Sequence, residues 1–243
     1  ERQALATALK RRKLELDLAP HGKVLGRVHV VNLNVFGKED SFLRIVNFLH
    51  IPTREYVIRR EALLEPGQKW DDTIIQETRR RISDPKYTAL AVLAPVKSDK
   101  QGTVDLLIVT RDIFSLRLNS NYEIAGSGIP LPGFGGTIIS LSITPSENNV
   151  FGLRKTAAVS FSMDLGRWLI GPLYIDPRVY GTRVAFSSIF QFQFSRESSD
   201  YEGTTSSTTL SYPLWSFKRE WGGSMSFSHF VAPSRQFEGL NLR

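Results

Sequence analysis

From Leu116 onward the chain alternates between apolar and neutral polar side chains, and a two-residue period belongs to a β-strand with two unlike faces. In AFSSIFQFQFSR, Ala185–Arg196, one parity holds Phe186, Phe190, Phe192 and Phe194, and the other Ser187, Gln191, Gln193 and Ser195. SLRLNSNYEI sets Leu116, Leu118, Tyr122 and Ile124 against Arg117, Asn119, Asn121 and Glu123. TAAVSFSMDL sets Ala157, Val159, Phe161, Met163 and Leu165 against Thr156, Ser160, Ser162 and Asp164. GTIISLSIT (Ile139, Leu141, Ile143), SSTTLSYPL (Thr208, Leu210, Tyr212, Leu214) and WGGSMSFSHFV (Met225, Phe227, His229, Val231) repeat the pattern. WLIGPLYIDP, Trp168–Pro177, completes the set, although Gly171-Pro172 weakens it as a strand. The expectation is seven strands of about 8 to 12 residues, close to the roughly 9 to 11 that a tilted membrane strand requires.

Alternation leaves open which solvent the apolar face meets, because soluble sandwiches alternate too. The opposite parity is more informative. It is mostly Ser, Thr, Asn and Gln, where soluble sheets carry more Lys and Glu, and neutral polar faces suit the wet interior of a barrel. Trp168, Tyr174, Tyr180, Tyr212, Trp215 and Trp221 fall near strand ends, where rings with a polar edge fit the boundary between water and hydrocarbon. Scattered core aromatics in a soluble β domain are the competing account. No stretch approaches the roughly 18 apolar residues of a membrane-spanning helix.

The first half follows other rules. Of its 112 residues 35 are Asp, Glu, Lys or Arg, against 20 of the last 131, and those 131 hold 20 of the 26 aromatics. The change falls in TRDIFSL, Thr110–Leu116, and is read as a domain boundary. KVLGRVHVVNL, Lys23–Leu33, alternates with Val24, Val28 and Val30 on one face. PTREYVIRREALLEPG, Pro52–Gly67, predicts a helix capped by Thr53, with Val57, Ile58 and Ala62 at helical spacing and Pro66-Gly67 as its stop. WDDTIIQETRRRISDP predicts a second helix with Asp71 as N-cap, Trp70 stapled on Ile75, and Arg79–Arg81 in the last turn, where cations complement the helix dipole. Strands at Thr88–Ser98 and Gly102–Asp112 complete a β-α-α-β-β order, with both helices on one face of the sheet.

Several of these segments resemble a known family. KVLGRVHVVNL, RREALLEPGQKWDD and YTALAVLAPVKSDKQGTVDLLIVTRD resemble a polypeptide-transport-associated (POTRA) domain. SENNVFG, Ser146–Gly152, is similar to a periplasmic turn of the bacterial surface antigen superfamily, which includes barrel-assembly proteins of Gram-negative outer membranes. YIDPRVYGTRV and LSYPLWSFKREWGG are similar to its next two periplasmic turns. The resemblance implies an α+β POTRA domain followed by an antiparallel transmembrane β-barrel, divided as a helical or linker segment 1–22, the POTRA domain 23–112 and barrel 113–243. Family barrels are closed, with about sixteen strands. About seven here, with no Arg-Gly-aromatic inward-loop motif and no terminal barrel strand in SRQFEGLNLR, suggest the N-terminal portion of a larger barrel or one completed by other segments. The resemblance implies one POTRA domain here, where assembly proteins often have several.

The implied function is insertion of outer-membrane proteins or protein translocation, with the POTRA domain in the periplasm. Alternatives are a two-partner-secretion type transporter of a dedicated substrate and a soluble β-sheet ligand-binding module. Implied partners are membrane lipids and lipopolysaccharide, unfolded outer-membrane proteins or a secreted protein, and periplasmic or lipoprotein accessory subunits. The net charge of +7 agrees with anionic neighbours. Nucleic acid is not expected, because Arg79–Arg81 come with no aromatic stacking platform and KRRK at Lys10–Lys13 reads as a solvated helix end.

No catalytic, metal or cofactor site is expected. His21, His29, His50 and His229 lack ligand spacing, and the chain has no cysteine. GGSMS lacks the second glycine of a nucleophile elbow, and GSGIPLPGFGG, Gly126–Gly136, lacks the P-loop lysine and reads as an extracellular hairpin loop. Glu147, Asn148 and Asn149 read as turn formers. Chemistry is expected from the backbone instead, because an unpaired strand edge can accept an extended segment. One candidate edge is the first barrel strand, with Leu116, Leu118, Asn119, Asn121 and Tyr122. The other is ALAVLAPV, Ala89–Val96, with Ala89, Ala91 and Leu93; a plain core role is the competing account. Phe186, Phe190, Phe192, Phe194, Val159 and Phe161 are expected to face the membrane.

Overall fold

The computed structural model describes residues 1–35, 50–125, 129–130, 137–216, 219–233, 237–238 and 241–242. The chain divides into two compact units. The first is Glu1–Ser115 with Asn148–Arg154, and the second is Leu116–Glu147 with Lys155–Arg243.

The first unit contains α1 (Arg2–Arg12), β1 (Val24–Leu33), α2 (Glu55–Arg59), α3 (Asp72–Ile82), β2 (Thr88–Lys97) and β3 (Thr103–Asp112). Its sheet runs in the order β1-β3-β2, with β1 parallel and β2 antiparallel to β3. Leu106, Leu107, Ile108 and Val109 of β3 are all fully buried, which requires cover on both faces. On one face Ile58, Trp70, Ile75 and Ile82, from the helical segments, pack with Leu106 and Ile108. On the other, Ala4 and Ala8, one helical turn apart on α1, pack with Val31, Val96, Leu107 and Val109. The two helices expected on one face pack there, and α1 adds a layer on the other that the β-α-α-β-β expectation did not contain. The N-terminal helix closes the second face and belongs to this unit rather than preceding it as a linker.

Local chemistry accounts for most element boundaries. Asp71 caps α3 by accepting from the N–H groups of Thr73 and Ile74, and Trp70 shares a core cluster with Ile75, as a staple requires. The helix expected over Pro52–Gly67 covers only Glu55–Arg59, and its N-cap is Arg54, not Thr53. The Thr53 N–H donates to Asp112 Oδ2 at 2.7 Å. Past Arg59 the chain tightens into i→i+3 bonds from Glu61 and Ala62, and the Leu63 N–H donates to Thr78 Oγ1 on α3. That tertiary bond replaces the helical one. In β1 the register slips between Leu25 and Val28, so Leu25 takes the core place expected of Val24 beside Val28 and Val30. Asp105 Oδ1 accepts the Arg27 N–H within this bulge, and a Cβ on Gly26 would collide with that oxygen.

The second unit is an antiparallel sheet of seven strands in the order β11-β10-β9-β8-β7-β6-β4. They are β4 (Leu116–Ala125), β6 (Thr137–Glu147), β7 (Thr156–Met163), β8 (Arg167–Asp176), β9 (Ala185–Ser195), β10 (Tyr201–Tyr212) and β11 (Gly223–Val231). Their lengths run from 8 to 12 residues. The short β5 (Ile129–Pro130) adds to β6, and β12 (Phe237–Glu238) pairs with β13 (Asn241–Leu242). The rest of the glycine-rich loop Gly126–Gly136 lies outside the described residues. Val150–Gly152 and Val179–Gly181 repeat one turn design. In each, an aromatic residue with positive φ, Phe151 or Tyr180, is followed by a glycine with positive φ.

Candidate functional site

The six registers between the seven strands connect the sequence parities into two continuous faces. Leu118 lies opposite Pro145, Tyr122 opposite Leu141, Ile143 opposite Phe161, and Val159 opposite Pro172. Ile170 lies opposite Phe192, Phe186 opposite Leu210, and Thr208 opposite Phe227. Cross-strand partners share a face, so all these side chains line one surface. The opposite surface carries Asn119, Ser142, Ser160, Gln191, Thr205 and Ser228, with Leu169, Leu173, Ile175, Ile189 and Phe230 as apolar exceptions.

Burial in this unit is inverted relative to a soluble sheet. Phe190, Phe192, Leu118 and Phe227 are 37%, 43%, 69% and 66% exposed, while the polar-face Gln193 is 2% exposed. Among the described residues Ala158 is the only buried hydrophobic one in the second unit; the rest of the apolar core belongs to the first. Leaving so large an apolar surface in water is unfavourable by about 25 cal/mol per Å². On the polar face, Arg167 Nη1 donates to Gln193 Oε1, and Gln193 Nε2 donates to Glu202 Oε2. On the apolar face the Ser188 and Thr208 hydroxyls hydrogen-bond to each other at 2.9 Å.

Aromatic rings collect at both strand ends. Trp168 stacks on Phe194 with centroids 4.2 Å apart, and Phe194 meets Tyr201 at 5.9 Å. At the other end Tyr174 approaches Phe186, and Trp215 Nε1 donates to the Tyr212 hydroxyl. Trp221 stands just before β11 and is exposed. Tyr201 and Tyr212 bound β10; at about 3.4 Å per residue and a tilt near 40° they enclose roughly 28 Å, close to the apolar band of a membrane barrel.

The edges are distributed differently from expectation in the first unit. In the second, β4 and β11 end the sheet path, and Leu116, Leu118, Asn119, Asn121 and Tyr122 of β4 are all exposed. In the first, β2 is an edge, but the chain's own N-terminal segment covers part of it. The Asp17 N–H donates to the Pro95 carbonyl and the Lys97 N–H to the Glu15 carbonyl, with Leu16 bridging Val96. Of the predicted contact residues, Ala89 is exposed and Leu93 half-buried, whereas the Ala91 side chain is in the core.

A buried polar hub in the first unit escapes periodicity altogether. Asp112 Oδ2 accepts from Asn32 Nδ2 and the Thr53 N–H, and lies 3.4 Å from His50 Nε2. Burial pushes the Asp112 carboxyl up, but the bonds from His50, Thr53 and Asn32 outweigh it and hold the group below the usual carboxylate range. Arg154, buried, donates to Thr88 Oγ1 and lies over the Tyr87 ring. Burial lowers its pKa, and Asp112, Glu61 and Asp84 oppose that shift. Asn148 Nδ2 donates to the Ser115 carbonyl and Asn149 Nδ2 to the Ile51 carbonyl. The two asparagines do more than shape a turn. The only sequence signal for this was the ENN motif itself.

Among the described residues no helix is long and apolar enough to cross a membrane. No protein-family model matches the chain, and no curated protein matches it. Among solved structures it is similar to the crystal structure of BamA from Haemophilus ducreyi lacking POTRA domains 1–3. That likeness has 12% identity and a TM-score of 0.56, over 79% of this chain and 33% of that one. CdiB from Acinetobacter baumannii matches at 11% identity over 89% of this chain and 43% of that one, with a TM-score of 0.38 that carries no weight for the fold. The chain spans less than half the length of either structure. The first likeness shows fold: a mostly β chain whose seven-stranded antiparallel sheet is similar to the barrel of BamA.

Proposed function

We propose that the chain belongs to a Gram-negative outer-membrane protein that inserts or translocates other proteins. The first unit acts as a periplasmic POTRA domain that receives unfolded polypeptide, and the second is part of a transmembrane barrel. The observation that carries this reading is the inverted burial of the seven-stranded sheet, with Phe190 and Phe192 uncovered and Gln193 enclosed. The likeness of its seven-stranded sheet to BamA supports it. Partners are membrane lipid, lipopolysaccharide, accessory subunits and an unfolded outer-membrane or secreted substrate.

The mechanism is backbone pairing, with no enzymatic step. In hydrocarbon an unpaired strand edge costs several kcal/mol per unsatisfied group, so β4 and β11 each require a pairing partner there. β4 can offer its edge to an incoming strand, which leaves with its backbone already satisfied. The test is folding of an unfolded outer-membrane β-barrel into phospholipid vesicles with and without the inserted chain. Faster folding, with crosslinks from the substrate to β4, is expected; an unchanged rate and no crosslink would reject the function.

A further inference from the structure

Two edges of the first unit could take an extended segment, and they are not equally available. The β2 edge is paired with Glu15–Asp17 at Pro95 and Lys97. Glu15 also bonds Lys97 Nζ at 2.6 Å. The other edge belongs to β1, whose partner strand among the described residues is β3, with Val24 also bridging Lys69. There Gly67 and Gln68 bond the backbone of Leu25, and Arg12 Nη2 donates to the Val30 carbonyl. Between those two points β1 borders a groove of about 520 Å³, whose opposite wall runs from Arg59 to Pro66. A cleft of this size lies in the range of ligand sites, about 300 to 1,000 Å³.

The lining has a definite chemistry. Val28, Ala62 and Leu64 supply apolar surface, and Arg27 and Arg59 supply positive charge. His29 also lines it, with Nε2 engaged by Asp105 at 2.9 Å. Arg27 has only a loose contact with Asp99, at 3.7 Å between two exposed side chains. Glu65 is the acidic member of the lining.

We infer that the β1 groove of the first unit is a docking site for a short extended polypeptide segment in which apolar and acidic residues alternate. The slot facing Gly26 to His29 admits about four residues, at about 3.3 Å per residue. Their backbone extends along β1 beyond the bonds of Gly67 and Gln68, leaving the Arg27 N–H to Asp105 Oδ1. One side-chain parity enters the apolar surface and the other sets carboxylates against Arg27 and Arg59, with a neutral or basic residue beside Glu65. This rests on the proposed receiving function and names the edge and the sequence character it selects.

Because the chain has no cysteine, single substitutions give unique attachment points. The whole chain, in detergent micelles, is prepared as Ala62→Cys, in the β1 groove, and as Ala89→Cys, on the β2 edge. Both are offered unstructured peptides bearing one cysteine and alternating Leu with Glu, Ser or Lys, with disulfide capture and fluorescence anisotropy as readouts. The Glu peptide is expected to be captured at Ala62→Cys and to bind about fivefold more tightly than the Ser peptide, the scale of two exposed charge pairs. Arg27→Gln with Arg59→Gln should erase that preference. Capture at Ala89→Cys alone overturns the site and leaves the receiving function standing. Equal binding of the three peptides overturns the selectivity. Capture at neither position overturns both site and receiving function.

Discussion

Asn149 and Ile51, 98 positions apart, are joined by a 2.8 Å hydrogen bond from the Asn149 amide to the Ile51 carbonyl. The same side chain accepts the Arg154 N–H through Oδ1 at 2.9 Å. One residue thus closes a turn and fastens it within the first unit, where Arg54 bonds the carbonyls of Gly152 and Phe151.

Removing these contacts should loosen the first unit. Asn149→Ala is expected to cost about 1 to 3 kcal/mol, because it leaves the Ile51 carbonyl without that donor. Arg154→Ala should cost a similar amount, because Thr88 Oγ1 loses its buried donor and the Tyr87 ring its cation. Hydrogen exchange of the Leu106–Val109 amides measures both. Unchanged exchange in Arg154→Ala would show that the turn contributes nothing to this fold.

Acid should weaken the same unit through Asp112. Its folded pKa lies below that of an ordinary aspartate, so its contribution is complete above the ordinary value and is lost as pH falls through the folded pKa. Asp112→Asn should lower stability at neutral pH and flatten the loss below about pH 3.9. An equally steep acid loss in the variant would assign the effect to other carboxylates.

The two parities of β9 should report different solvents. Spin labels at Phe190→Cys and Phe192→Cys in vesicles are expected to meet dissolved oxygen freely and to be shielded from a water-soluble nickel chelate. Labels at Gln191→Cys and Gln193→Cys should show less oxygen access. Shielding of Phe190→Cys from both reagents in a detergent-free monomer would mean a second protein layer, and would end the membrane assignment.

Gly203→Ala should damage the β10–β11 seam. Gly203 has φ of 151° beside a register shift, and a Cβ there would collide with the Val231 carbonyl. Overpacking of this kind costs about 1 to 3 kcal/mol. Faster exchange is expected in Ser224–Phe230, with β7 and β8 unaffected; uniform protection would show that the seam adjusts without cost.

The strand pattern was legible because parity is a local property. Phe186, Phe190, Phe192 and Phe194 share a face whatever lies opposite them, and a slip of one residue would exchange the two faces. The Asp71 cap and Trp70 staple were legible for the same reason: donor and acceptor are separated by a few residues. The early end of α2 was not, because it depends on Thr78 reaching Leu63 from another helix.

What the sequence determined by itself is therefore the division at about residue 115, the strand segments and the apolar parity of each, all carried by spacing and composition. Tertiary structure alone decided that α1 covers the second face of the first sheet, that Glu15–Asp17 occupy the β2 edge, and that Asn149 and Arg154 return to Ile51 and Thr88. These depend on which distant groups become neighbours after collapse. A hydrogen bond across 98 residues has no period to betray it, whereas an alternating strand displays its two faces before it has a partner.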